Sequence, residues 1–244
     1  MISYLLDFVL GVAIGAIAGL FGVGGGFLIV PTLTFMGLPI HTAIGTSLAC
    51  IAVSSFASAY THIKRRKVLF RIVAIKEAFS MPAALIGAHI TLFLNESFLR
   101  TIFSIFLFYL AYKMMTTSSK YHHEESIRIN YKNVPIVGIL SGFTSGLLGI
   151  SGGILNVPLF HVLVEIPIKY SIGTSSVALF FTALAGTYGH FKSGNVSIET
   201  ALLLAPGLVI GAYLGARSTH TLHPERLQNW FALILTLIGI KMLI

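Results

Sequence analysis

The sequence has little of what keeps a protein in water. Only 10% of its 244 residues are charged, and Asp and Glu together number 8, against 55% hydrophobic residues. With a mean hydropathy of +0.88, it falls outside the range of soluble globular domains and reads as an integral membrane protein. Cysteine is nearly absent: Cys50 stands alone, which excludes an intrachain disulfide and any cysteine-based metal cluster. The histidines form no repeated cluster, and His122 and His123 fall in a polar stretch, so neither a metal nor a cofactor is expected. Alternation of period two is missing, which argues against a β-barrel. A basic leader is missing too. The opening "MISYLLDFVLGVAIGAIAGL" carries Asp7 and runs straight into a glycine-rich stretch, so it reads as a first membrane helix rather than a cleaved signal.

What is there in abundance is apolar sequence in runs of roughly 18 to 23 residues, enough to cross about 30 Å of hydrocarbon at 1.5 Å per residue. The expected fold is an all-α polytopic membrane protein. Segments are expected near 4–21, 27–38, 42–61, 72–94 and 98–115, then 134–149, 153–165, 170–190, 199–217 and 226–244. Two of them, 27–38 and 153–165, are too short to span and read as half-helices.

The chain repeats itself. "GLFGVGGGFLIVP" from Gly19 returns as "GLLGISGGILNVP" from Gly146, an offset of 127 (146 − 19). One inserted residue makes the offset 128, under which the "GTS" elements Gly45-Thr46-Ser47 and Gly173-Thr174-Ser175 match, as do Tyr60 with Tyr188 and His62 with His190. Further on, "PAALIGA" from Pro82 echoes "PGLVIGA" from Pro206, which implies a short deletion. The expected organisation is a first transmembrane repeat over 1–115, a linker over 116–133 and a second repeat over 134–244. Each repeat then has 4 or 5 membrane segments, depending on whether the short helix counts as a crossing. An odd number makes the repeats inverted, an even number parallel. Inversion is preferred, because "HIKRRKVLFR" holds five basic residues and its match "KSGNVS" only Lys192, and basic loops stay in the cytoplasm. On that rule loops 62–71 and 116–133 are cytoplasmic. The net charge of +8 is then topology rather than nucleic-acid binding, and no nucleic-acid partner is expected.

The glycine runs are the best candidate site. A broken helix at membrane depth survives only where protein buries it or where it lines a cavity. Gly22, Gly24, Gly25 and Gly26 can turn the chain sharply, and the helix that follows offers unpaired N–H groups with a partial positive charge. Ser151, Gly152 and Gly153 form the second copy, which has Asn156 where the first has Ile29. Small residues at helix contacts are the plain alternative, but they account poorly for a run such as GVGGG. Thr46, Ser47, Thr174 and Ser175 can complete the hydrogen bonds of an oxyanion or bond back to their own helix. His62, His190 and Glu77 are candidates for proton coupling or substrate contact. Acidic residues within the apolar runs are too few to suggest a cation pathway.

The paired glycine motifs, each followed by a proline and a "GTS" helix with "H.K...V" behind it, resemble the TauE/SafE family of sulfite and organosulfonate transporters. The likeness covers essentially the whole chain. It implies a secondary transporter, commonly an exporter in the bacterial inner membrane, that moves small sulfur-containing anions such as sulfite or sulfonates by alternating access, and it implies no enzyme activity. One departure is that Ser151 replaces a glycine of the first motif, so the two half-sites differ. A passive anion channel stays open as an alternative. Gly149-Ile150-Ser151-Gly152 also spells the GxSG pattern of rhomboid proteases, with Ser151 as nucleophile and His190 as base, although rhomboids lack such a duplication. Protons are the default coupling ion, the lipid bilayer is the surrounding partner, and oligomeric state stays open, a homo-oligomer included.

Overall fold

A computed structural model of the chain describes residues 2–116, 129–150, 152–218 and the positions 233, 236, 237, 239 and 240. Among the described residues every long element is helical. In chain order these are α1 (Ile2–Phe21), α2 (Gly26–Phe35), α3 (Ile40–Lys64), α4 (Phe70–Thr91), α5 (Glu96–Thr116), α6 (Val134–Leu148), α7 (Gly153–Val162), α8 (Ile168–Lys192) and α9 (Ile198–Ser218). Most of the expected segment 226–244 and most of the linker lie outside the described residues. α3, α4 and α9 are long and apolar enough to cross a membrane.

The element ends follow from local chemistry. α2 and α7 have 10 residues each, about 15 Å of helix, so neither crosses a hydrocarbon core. α2 stops where Gly37 takes φ 96°; the Gly37 N–H bonds to Thr34 O and the Leu38 N–H to Leu33 O, the Schellman arrangement that satisfies terminal carbonyls. Pro39 and Pro167 then start the long α3 and α8, with φ near −55° fixed by the ring. At the far end α3 closes on Arg66, φ 56°, and α8 closes on Gly194, φ 73°.

Large apolar side chains face outward, and polar ones lie inside beside an apolar core. Phe56, Phe93, Leu202 and Leu214 are exposed, while Thr46, Ser47, Ser54, Ser80, Thr182 and Lys76 are buried. Lipid removes the usual reason to hide an apolar side chain, and a backbone or hydroxyl that cannot reach water has to find a partner inside.

Close approach of backbones holds the bundle together. Gly11, Gly15 and Gly19 on α1 lie against the carbonyls of Leu204, Leu208 and Ala212 on α9; Gly138, Gly142 and Gly146 on α6 lie against those of Lys76, Ser80 and Ala84 on α4. Any Cβ at these six positions would run into a backbone oxygen. The first three and last three glycines sit 127 apart, and the carbonyls they meet sit 128 apart throughout (204 − 76, 208 − 80, 212 − 84). The short deletion expected around Pro82 and Pro206 is therefore corrected. The echo of "PAALIGA" and "PGLVIGA" is out of structural register, and Pro82 matches Ile210 while Pro206 matches Ala78, one helical turn away. Backbone contact sets this register, and a proline that lacks an N–H sits at either place on a helix in lipid.

α3 and α8 cross at the centre. Gly45, near the start of α3, meets Asn195 O and His190 Cβ at the end of α8, and Gly173, near the start of α8, meets Lys67 O and His62 Cβ at the end of α3. The two helices therefore run antiparallel.

Candidate functional site

The glycine loops lie against one another. A Cβ on Gly153 would meet Val23 Cα at 2.7 Å and Gly22 O at 2.8 Å. Gly22, Gly24 and Gly25 take φ of 63°, 74° and 81°, the left-handed region that admits glycine with little strain; Gly149 in the other loop takes 63°. Gly25 caps α2 and Gly152 caps α7, each with its carbonyl accepting the first helical N–H bonds. Gly22 to Gly26 and Gly152 to Gly153 are buried. Ser151 lies outside the described residues.

The "GTS" hydroxyls fasten these loops, and each does so in the opposite half of the chain. Ser47 Oγ donates to Gly149 O at 2.9 Å, and Ser175 Oγ donates to Gly22 O at 3.1 Å. A serine hydroxyl has one hydrogen, so in this arrangement neither serine offers a donor to an anion. Thr46 Oγ1 accepts from the Ser197 N–H and Thr174 Oγ1 from the Leu69 N–H, at 2.9 and 3.0 Å. Neither bond runs back to the residue's own helix. His62 and His190 are buried, each beside the "GTS" glycine of the opposite half, Gly173 and Gly45 respectively, and His190 Nε2 bonds to Gly146 O at 2.8 Å, which places the hydrogen on Nε2 and leaves Nδ1 without a partner.

One candidate has nothing to bond. Asn156, in the first turn of α7, is fully buried, and neither its Oδ1 nor its Nδ2 has a partner. An amide with two donors and an acceptor left unmet inside a protein costs about 1–3 kcal/mol, which makes Asn156 a candidate for contact with a ligand. Ser145 Oγ, buried at the end of α6, is likewise without a partner.

Glu77 sits deeper than its sequence position near a segment end suggested. It is the eighth residue of α4 and is paired with Lys76, which is fully buried. Lys76 Nζ donates to Glu77 Oε1 (2.8 Å), Ser80 Oγ (2.9 Å) and Thr182 Oγ1 of α8 (2.8 Å), so all three ammonium hydrogens are accepted. Thr182 Oγ1 in turn lies 2.9 and 2.8 Å from the two Glu77 oxygens. Sequence reasoning missed Lys76, Ser80 and Thr182. The available signal was "VAIKEAFSMP", an adjacent Lys and Glu inside an apolar run. Glu165, by contrast, is exposed at the end of α7 with φ 61°, a chain-reversing position.

The family model described as Sulfite exporter TauE/SafE matches residues 7–242. The probable membrane transporter protein YunE of Bacillus subtilis is 30% identical, over 99% of this chain and 97% of the relative. A probable membrane transporter protein of Haemophilus influenzae is 31% identical over 98% and 97%, and one of Methanocaldococcus jannaschii is 29% identical over 97% and 94%. No solved structure matches the chain.

Proposed function

The chain belongs to the sulfite exporter TauE/SafE family of membrane transporters, and on that premise we propose that it carries small sulfur-containing anions, sulfite or sulfonates, across the cell membrane by alternating access. The observation that carries the reading is the buried, unpartnered amide of Asn156 in the first turn of the half-helix that begins where the two glycine loops touch. An oxyanion there would accept the Asn156 N–H groups and meet the positive end of the α7 dipole. Export is the direction that the family name suggests.

The antiparallel run of the matched helices α3 and α8 supports inverted repeats. Two equivalent spanning helices can run in opposite directions only when one repeat is upside down relative to the other. The same helices separate the loops: the basic loop follows the end of α3, whereas Asn195 of its match lies at the start of α3. Lys67 stacks over Tyr170 and Arg71 over Tyr131, at 4.4 and 4.8 Å, which ties loop 62–71 to the end of the linker. Both are then cytoplasmic under the positive-inside rule. Burial of both glycine loops favours a carrier over an open channel, because a ligand reaches them only when packed helices part.

A ligand-dependent thermal shift on detergent-purified protein tests this reading, with sulfite, methanesulfonate, taurine, sulfate, phosphate and chloride at matched ionic strength. Sulfite or sulfonates at a hundredfold excess over Kd should add about 2.7 kcal/mol of apparent stability. Asn156→Ile, which copies the first half, should abolish that gain without unfolding the protein. An equal response to all anions, or a full response in the variant, would overturn it.

A further inference from the structure

Membrane interiors punish any unbalanced charge, and Lys76 with Glu77 forms an ion pair inside one. The other half of the chain has no such pair at the matched place. The matched positions on α9 are Leu204 and Ala205, and Ser80 is matched by Leu208; Leu204 and Leu208 pack in the core against the same kind of helix contact.

The pair stands next to the second glycine loop on two sides. On α8, Thr182 follows Leu179 by three residues, the spacing of one helix face, and a Cβ on Gly153 would meet the Leu179 side chain at 2.7 Å. On α6, Gly142 lies against Ser80, and the preceding Ser141 lies against Gly152. The match of Thr182 in the first half, Ser54, has its hydroxyl within reach of Gly24 O of the first loop (3.2 Å) and of Ile51 O on its own helix (3.1 Å). Thr182 instead serves Glu77 and Lys76.

We infer that Lys76 and Glu77 form an exchange pair that couples one proton to each transported anion: the oxyanion replaces the Glu77 carboxylate on the Lys76 ammonium while that carboxylate takes up a proton from water. This rests on the proposed function above. Lys76 stays an ammonium throughout. Before exchange the site holds one positive and one negative charge; afterwards it holds the ammonium, the anion and a neutral carboxylic acid, so the buried charge is balanced in both states. An anion without the proton, or a proton without the anion, leaves a bare charge in low dielectric. Thr182 suits the exchange because a hydroxyl donates to a carboxylate and accepts from a carboxylic acid.

Glu77 is the one carboxyl on α4, α6 and α8, the helices that meet at the pair. α6 carries no ionisable side chain. On α8, Lys169, Tyr188 and Lys192 are exposed, Tyr170 lies under Lys67, and His190 Nε2 is held by Gly146 O. On α4 itself Arg71 lies over Tyr131 and His89 packs on Phe93.

The test is proton uptake by the purified full chain in weakly buffered solution on addition of methanesulfonate, which does not titrate near neutrality, with affinities measured at several pH values. The expected result is one proton taken up per anion, and affinity falling by up to about tenfold per pH unit as the pH is raised. E77Q should bind the anion without uptake and without that pH dependence. The charge-free variant K76M/E77Q, which copies the apolar half, should fold and bind at least about tenfold more weakly. Binding without proton uptake, or unchanged affinity in K76M/E77Q, would overturn the exchange pair and leave the anion carrier standing. No binding by folded wild-type protein would overturn both.

Discussion

The two glycine loops share a backbone design but not their surroundings. The framework of the first loop, α1, α2 and α9, carries Ala18, Ile29, Leu204, Ala205 and Leu208; the matched framework of the second, α6, α7 and α4, carries Ser145, Asn156, Lys76, Glu77 and Ser80. Shared features are those that build: the glycine rows, the serines that fasten the opposite loop, the prolines that launch the long helices. Features that differ are the ones that cost stability, namely an unmet amide, an unmet hydroxyl and a buried ion pair. A duplicated scaffold needs both copies of its joints, but a single substrate site needs only one set of charges.

The comparison can be broken most severely at the joints. Gly15→Leu and Gly142→Leu should each drive a side chain into a backbone carbonyl and cost 3 kcal/mol or more, about the upper end of overpacking. Their losses of folded protein, scored by size-exclusion yield, should be similar; tolerance at one site would show that the halves are held unequally. Next in size, Lys76→Met leaves Glu77 buried alone and should destabilise by about 3–5 kcal/mol, most of it recovered on adding Glu77→Gln. Chemical or thermal denaturation in one detergent checks the pair of variants. Asn156→Ile and its reverse, Ile29→Asn, sharpen the contrast at about 1–3 kcal/mol: the first should stabilise the empty protein, and the second should destabilise it. Smallest are the left-handed caps, where each half has one glycine and one charged residue: Gly37 against Glu165, and Arg66 against Gly194. Arg66→Gly and Glu165→Gly should each raise stability, by about 1 kcal/mol at most, read as a small upward shift in melting temperature.

Much of the fold was legible in the sequence, because hydrophobic run length and Gly/Pro punctuation report directly on helix length and helix ends. The half-helices were legible for the same reason, since 10 residues between Gly25 and Met36 leave no room for a crossing. What the sequence hid was partnership. That Ser47 and Ser175 reach across to Gly149 and Gly22 depends on helices far apart in the chain, and no local pattern encodes it. Sequence similarity also misled at Pro82 and Pro206, where the eye aligns prolines and the helices align at glycine-to-carbonyl contacts. Glu77 was singled out, yet its depth was misjudged. Its neighbours Ser80 and Thr182 look like ordinary helix residues until α4 and α8 are brought together.

The exchange of partners between halves, α1 with α9 and α6 with α4, also sets an order for biosynthesis. Helices enter the membrane as the ribosome delivers them, so the glycine face of α1 must wait against lipid or the insertion machinery until α9 follows. The glycine face of α6, by contrast, meets α4, which is already in place when α6 arrives. The α4–α6 pair can therefore dock early, and α1 is the last joint to close. A nascent chain halted before α9 would carry its first helix unclaimed, a ready mark for membrane quality control.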